Sequence, residues 1–211
     1  MMNHFKFPFV VLSVLVLAGC QNTGKTVKND ASGGAASGLS FHICVTPDEV
    51  DAPHRLRQSL AINGPGASAG DLKWVRFFSA SSAVKGNSLA SHATSNLVAG
   101  TYSGQIHLLV WNTEAKSMSA SNKKSWQLKS SAAIEDHLGG QRILLTLDDR
   151  GADMLGALTE QNINRAIAVV VADRVYATPV IRSKITSNAM ITTKNGFTRS
   201  ESQEILKQLG N

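Results

Sequence analysis

The sequence predicts an α+β protein: a small, mostly antiparallel sheet with helices packed on one face in its C-terminal part, preceded by a β-containing N-terminal region. Three observations predict it. Ala166–Ala172 is a run of seven apolar residues, so the strand it forms is apolar on both faces and central in its sheet. Stretches of helical period flank that run, with Ala152, Leu155 and Leu158 on one face before it and Ile205, Leu206 and Leu209 after it. Short turn signals separate these segments, as a hairpin-rich sheet requires. With 211 residues, 43% hydrophobic and 17% charged, the chain can build such a core.

The chain begins with a different kind of segment. Lys6 gives a basic start, and Val10–Gln21 follows as an apolar stretch shorter than the roughly 20 residues a membrane span needs. This pattern predicts a secretory signal peptide over residues 1–19. Leu17-Ala18-Gly19-Cys20 resembles the bacterial lipobox, which implies that Cys20 carries a diacylglycerol thioether and an N-acyl chain such as palmitate. Three acyl chains hold a protein at a membrane far more firmly than one. Gln21, rather than an aspartate, resembles the pattern sorted to the outer membrane in Gram-negative cells, so a lipid-anchored protein of the cell envelope facing the periplasm is expected. Residues 20–38 hold the lipidated cysteine and a tether rich in Gly, Ser, Ala and Asn, with a root-mean-square span of about 25 Å.

Residues 39–127 form an N-terminal α/β region. Phe41–Val45 reads as a strand, DEVDAPHRLRQSL as holding a short helix, and Asn63–Gly70 as a turn. Asp71–Phe78 and Gln105–Trp111 are the next strands, and Lys116–Lys124 reads as a polar, exposed loop. Residues 128–211 form the C-terminal unit, entered through a helix-like stretch at Trp126–Leu138. Arg142–Leu147 is a strand; Asp148 or Asp149 caps the helix that follows, which ends near Asn162. Asp173-Arg174 make a tight turn from the apolar run into Val175–Thr178, and Pro179 limits that pairing. Ile185–Thr193 offers another strand, and Thr198-Arg199-Ser200-Glu201 is a capping box opening the last helix.

No catalytic constellation stands out. Gly-x-Ser-x-Gly, His-Glu-x-x-His, Cys-x-x-Cys and P-loop patterns are missing from the sequence, and its serines gather in loop-like stretches such as Ser79–Ala83. His42, His54, His92, His107 and His137 are too far apart to suggest a metal site, so no metal and no cofactor is expected. Once Cys20 is lipidated, Cys44 has no disulfide partner and reads as a small core residue. The formal charge of +6 comes from scattered Lys and Arg residues, without the basic stripe and aromatic platform of a nucleic-acid interface. No small-molecule substrate is identified.

The C-terminal unit resembles the head subdomain of the first large periplasmic domain of SecD and SecDF, membrane subunits that assist the Sec translocase. The residues that carry the resemblance are Leu147, Gly151-Ala152, Leu158-Thr159, Asn162, Ala168–Val171, Asp173, Ala177-Thr178-Pro179, Ile185, Ile191, Phe197-Thr198 and Glu201, in that order. Gly151, Thr159, Asn162, Pro179, Phe197 and Glu201 match the family motif, and their roles read as mainly structural. Asn164-Arg165 stands where the family usually has Gly-Lys, Arg174 replaces a usual glycine after the turn aspartate, and Ser187-Asn188 replaces a glycine pair. The resemblance implies a non-enzymatic module, lipid-anchored and contacting unfolded polypeptide or an envelope protein partner, with a link to protein export. The alternatives are a structural or assembly factor of an envelope complex and, third, an envelope enzyme using the N-terminal region.

Overall fold

The computed structural model describes residues 38–66, 70–78, 96–119, 126–137, 139–186, 188–192 and 196–210. Its strands are β1 (Leu39–Ile43), β2 (Leu72–Phe77), β3 (Ala99–Tyr102), β4 (Gln105–Trp111), β5 (Ser117–Ser119), β6 (Leu128–Glu135), β7 (Gln141–Leu147), β8 (Ile167–Val171), β9 (Arg174–Ala177) and β10 (Asn188–Ile191). The helices are α1 (Pro53–Asn63), α2 (Asp149–Glu160) and α3 (Arg199–Gln208). Among the described residues no helix is long and apolar enough to cross a membrane.

The strands form two sheets. One has the order β3-β4-β2-β9-β8-β1-β5 and is antiparallel except where β2 runs parallel to β9; the other is antiparallel, β10-β7-β6. The α+β class and the mostly antiparallel pairing agree with the sequence. The C-terminal strands, however, divide between the two sheets: β7 and β10 lie in the smaller one, while the β8–β9 hairpin sits inside the larger one between β1 and β2. Every residue of β8 is buried, as expected of a central strand apolar on both faces.

The larger sheet closes on itself. Cys44 and Val45, just past β1, leave β5 and join β4: Cys44 bridges Val110, and Val45 N donates to Leu109 O at 3.1 Å. Strands β1, β8, β9, β2 and β4 thereby ring a small interior of Cys44, Val75, Leu108, Val110, Ala168, Val170 and Val175. Short and β-branched side chains suit such a tight ring. Outside it lies the main core, where Phe41, Val169 and Val171 from the ring meet Leu145 of β7, Leu155 of α2 and Ile205 of α3. A third cluster forms where α1 lays Leu60 against Trp74 and Leu109 on the far face of β2 and β4.

Local chemistry explains most boundaries. Ser103 (φ 49°) and Gly104 (φ 72°) form the left-handed two-residue turn that joins β3 to β4. Asp148 caps α2 through its side chain, and Thr198 with Glu201 completes a capping box on α3. Three expectations are corrected. The turn after β8 is Ala172-Asp173 (φ 47° and 58°), and Arg174 already belongs to β9, because a left-handed pair matches the strand twist. The stretch Lys116–Lys124, expected as a loop, contains β5 with Ser117 and Met118 buried, since β1 offers a free edge there. Trp126–Leu138, expected to be helix-like, contains the eight-residue strand β6: pairing with β7 outweighs the modest helix preference of Ala132, Ala133 and Ile134.

Candidate functional site

The six motif residues lie along the framework of the C-terminal unit. At the start of α2, Asp148 Oδ1 accepts from Gly151 N at 2.7 Å while its Oδ2 accepts from Gln127 N at 3.0 Å. One carboxylate thus caps a helix and ties down the chain entering β6. Gly151 leaves room for this. A Cβ there would meet Asp148 Oδ1 at 2.9 Å and Trp126 Cε3 at 3.3 Å.

At the other end of α2, Thr159 is fully buried. Its hydroxyl donates to Leu155 O at 2.7 Å and accepts from Ile185 N at 2.9 Å, fastening the segment before β10 to the helix. Asn162, also buried, donates from Nδ2 to Leu158 O at 2.8 Å, satisfying one of the carbonyls a helix end leaves open. Two residues on, Asn164 takes the left-handed conformation at φ 65°, the geometry a glycine would adopt most readily there. Pro179 is half-buried, and its carbonyl accepts from Ile167 N at 2.9 Å, extending the pairing beside β8. Phe197 is buried and exchanges backbone hydrogen bonds with Gln141 at 2.7 and 2.8 Å. Glu201 accepts from Thr198 N at 2.7 Å. Each of these contacts is structural, and the six side chains do not converge on one point. Cys20, the predicted lipidation site, lies outside the described residues, as do His92, Ser187 and the tether before Gly38.

A polar junction that the sequence did not reveal joins the two halves of the chain. Arg165 Nη2 bonds Glu49 at 2.6 Å and Cys44 O at 3.3 Å. Glu49 also accepts from Thr46 N at 3.0 Å and from Trp111 Nε1 at 3.4 Å, and Lys116 lies 3.7 Å over the Trp111 ring. Burial opposes the charge on Glu49, but the Thr46 backbone hydrogen bond and Arg165 outweigh it and hold the carboxyl below its usual range. Arg165 and Glu49 are 116 residues apart, so no local pattern signals the pair.

The titratable groups best suited to chemistry are occupied. His42 is buried, with Nδ1 2.9 Å from Trp111 O and Nε2 3.0 Å from Ser40 Oγ. A carbonyl only accepts, so Nδ1 carries the proton and Ser40 donates to Nε2. Burial lowers the pKa of His42 and keeps the ring neutral. His107 is buried beside Gln105 O, and burial lowers its pKa too. Burial pushes the Cys44 thiol up to about 12, far from a reactive thiolate. Among the described residues no group of three His, Cys, Asp or Glu side chains is placed to hold a metal ion.

Comparison with known proteins follows this framework. Residues 124–210 match the family model described as the SecDF P1 head subdomain. The chain is 36% identical over 78 residues to protein translocase subunit SecD of Aquifex aeolicus, covering 37% of this chain and 15% of that protein. It is 36% identical over 64 residues to protein translocase subunit SecDF of Thermus thermophilus, covering 30% of this chain and 9% of that one. The chain therefore spans only a small part of these relatives. A crystal structure of SecDF in its super-membrane-facing form aligns at 35% identity and a TM-score of 0.35 over 39% of this chain and 11% of that one. A second structure, of SecDF as a membrane component that enhances protein export, aligns at 19% identity and a TM-score of 0.43, over 82% and 63%. The C-terminal unit resembles the SecD head subdomain.

Proposed function

We propose that this chain, which carries a SecD/SecDF head-like module linked to protein export, is a lipid-anchored protein of the bacterial cell envelope that binds polypeptide without turnover. The observation that carries this reading is the match of residues 124–210 to the head subdomain. Two features support it. Leu17-Ala18-Gly19-Cys20 places a lipobox-like cysteine ahead of an 18-residue tether, so the module would work close to the membrane surface. The smaller sheet ends in β10, which pairs with β7 alone among the named strands and leaves Asn188 exposed and Met190 half-buried. An extended peptide adds to such an edge through main-chain hydrogen bonds.

The test is in-cell photocrosslinking from positions 188 and 190. The β9 arm is unsuitable, because Val175, Tyr176 and Ala177 are buried. Adducts with many secreted chains are expected. Adducts with one dominant envelope protein would favour an assembly role instead, and no adduct at either position would overturn polypeptide binding at this edge. Cys20→Ser is expected to move the protein out of the membrane fraction; a variant still bound to membrane after signal-peptide cleavage would overturn the lipid anchor.

A further inference from the structure

A second surface, away from the motif residues, carries unbalanced positive charge. Arg76 of β2 stands in register with His107 of β4 on one side and with Arg174 of β9 on the other. Residues paired across strands point to the same face, with their backbones about 4.8 Å apart. Two arginines held directly opposite one another repel, and such a pair normally destabilises a sheet. The usual remedy is a carboxylate between them. Among the described residues neither arginine makes an ion pair; Arg76 donates to the neutral amide oxygen of Gln105 at 2.9 Å. Of the nearby carboxylates, Asp173 is ion-paired with Lys73 at 3.0 Å, while Glu204 accepts from the neutral amide of Gln208 at 2.8 Å and makes no ion pair with either arginine.

A hollow lies at the Arg76 end of the row. Arg76, His107, Lys73 and Asn112 line an open cleft of about 490 Å³ whose far wall includes Gly66 and Gly70. Among the described residues a Cβ on either glycine would meet nothing within 4 Å. Asp173, the one carboxylate among the described lining residues, is already paired with Lys73. Tyr176, two residues beyond Arg174 on the same face, is buried and stacks on Phe78 at 4.4 Å. Arg76 and Arg174 are themselves half-buried.

We propose that Arg76 and Arg174, flanked by His107 and the Lys73 cleft, form a binding site for a phosphate group. A phosphate dianion neutralises both charges at once, and each planar guanidinium presents a fork of donors that matches two of its oxygens. A lone carboxylate would leave one arginine uncompensated. The group has two possible sources, free phosphate and the phosphorylated headgroup of a lipid, and one experiment separates them.

The full-length protein is titrated with inorganic phosphate and, in parallel, with glycerol 3-phosphate as a soluble headgroup mimic, at constant ionic strength set with chloride. Saturable binding of at least one is expected, with a rise in melting temperature. Tenfold tighter binding of glycerol 3-phosphate assigns the site to a headgroup, and comparable or tighter binding of inorganic phosphate to the free ion. Arg76→Gln combined with Arg174→Gln should weaken binding at least tenfold. Without phosphate this double variant should melt no lower than the wild type, because the repulsion is gone. If it does not fold, Arg76→Lys and Arg174→Lys keep the charge, lose the fork, and should each weaken binding severalfold. No binding of either probe, or binding unchanged by these substitutions, overturns the proposal.

Discussion

The hydroxyl of Thr159 both donates to Leu155 O and accepts from Ile185 N, so its loss strands a backbone N–H inside the protein. Thr159→Val keeps the shape and removes the acceptor; it is expected to cost about 1–3 kcal/mol, read as a lower urea midpoint, while Thr159→Ser should cost less. The buried histidines make a second residue-scale prediction. Burial lowers the pKa of both His42 and His107 from 6.5, so each stays neutral in the fold while the unfolded chain takes up protons below that value. Their contribution is complete above pH 6.5 and is lost as pH falls towards the lowered folded values. Melting temperature should therefore drop between about pH 7.5 and about pH 5.5. In His42→Gln that slope should flatten, since one of the two groups is gone; an unchanged slope would show that His42 does not contribute.

At the scale of elements, glycine matters most where a strand turns against another backbone. Gly196 has φ 74°, and a Cβ there would stand 2.7 Å from Gly140 Cα, so the loop into Phe197 closes only without a side chain. Gly196→Ala is expected to destabilise the protein by more than about 1 kcal/mol through strain and contact together, measured by chemical denaturation. Asn164 is also left-handed, and its short polar side chain is of the type that tolerates the conformation. The caps at Asp148 and Thr198 were legible in the sequence because they depend on residues three apart. β5 and β6 were not. Their residues have no strong preference of their own, and what makes them strands is the neighbour, β1 or β7, that each one meets in the fold.

For the whole molecule, the chief consequence of the topology is mutual dependence. The β8–β9 hairpin, which carries much of the family resemblance, pairs outward with β1 and β2 from the N-terminal region, and Arg165 clasps Glu49 across the same junction. A fragment of residues 124–211 would expose the edges of β8 and β9 and one side of the ring interior. It is expected to be partly unfolded or aggregating when expressed alone, judged by amide dispersion in NMR, and to be rescued by restoring residues 38–119. A well-dispersed spectrum from the fragment would show that the head-like module needs no partner strands.

The sequence by itself determined the class of fold, the central place of Ala166–Ala172, the two amphipathic helices with their caps, and the resemblance to the SecD head. All of these rest on local order: hydrophobic period, turn chemistry and residues in fixed succession. Only the tertiary structure decided that the apolar run is central in a sheet shared with the N-terminal region, that this sheet closes through Cys44 and Val110, and that Arg76 and Arg174 face each other with no carboxylate among the described residues ion-paired to either. Those features depend on which strands meet, and strand partners far apart in the chain leave no periodic trace in it.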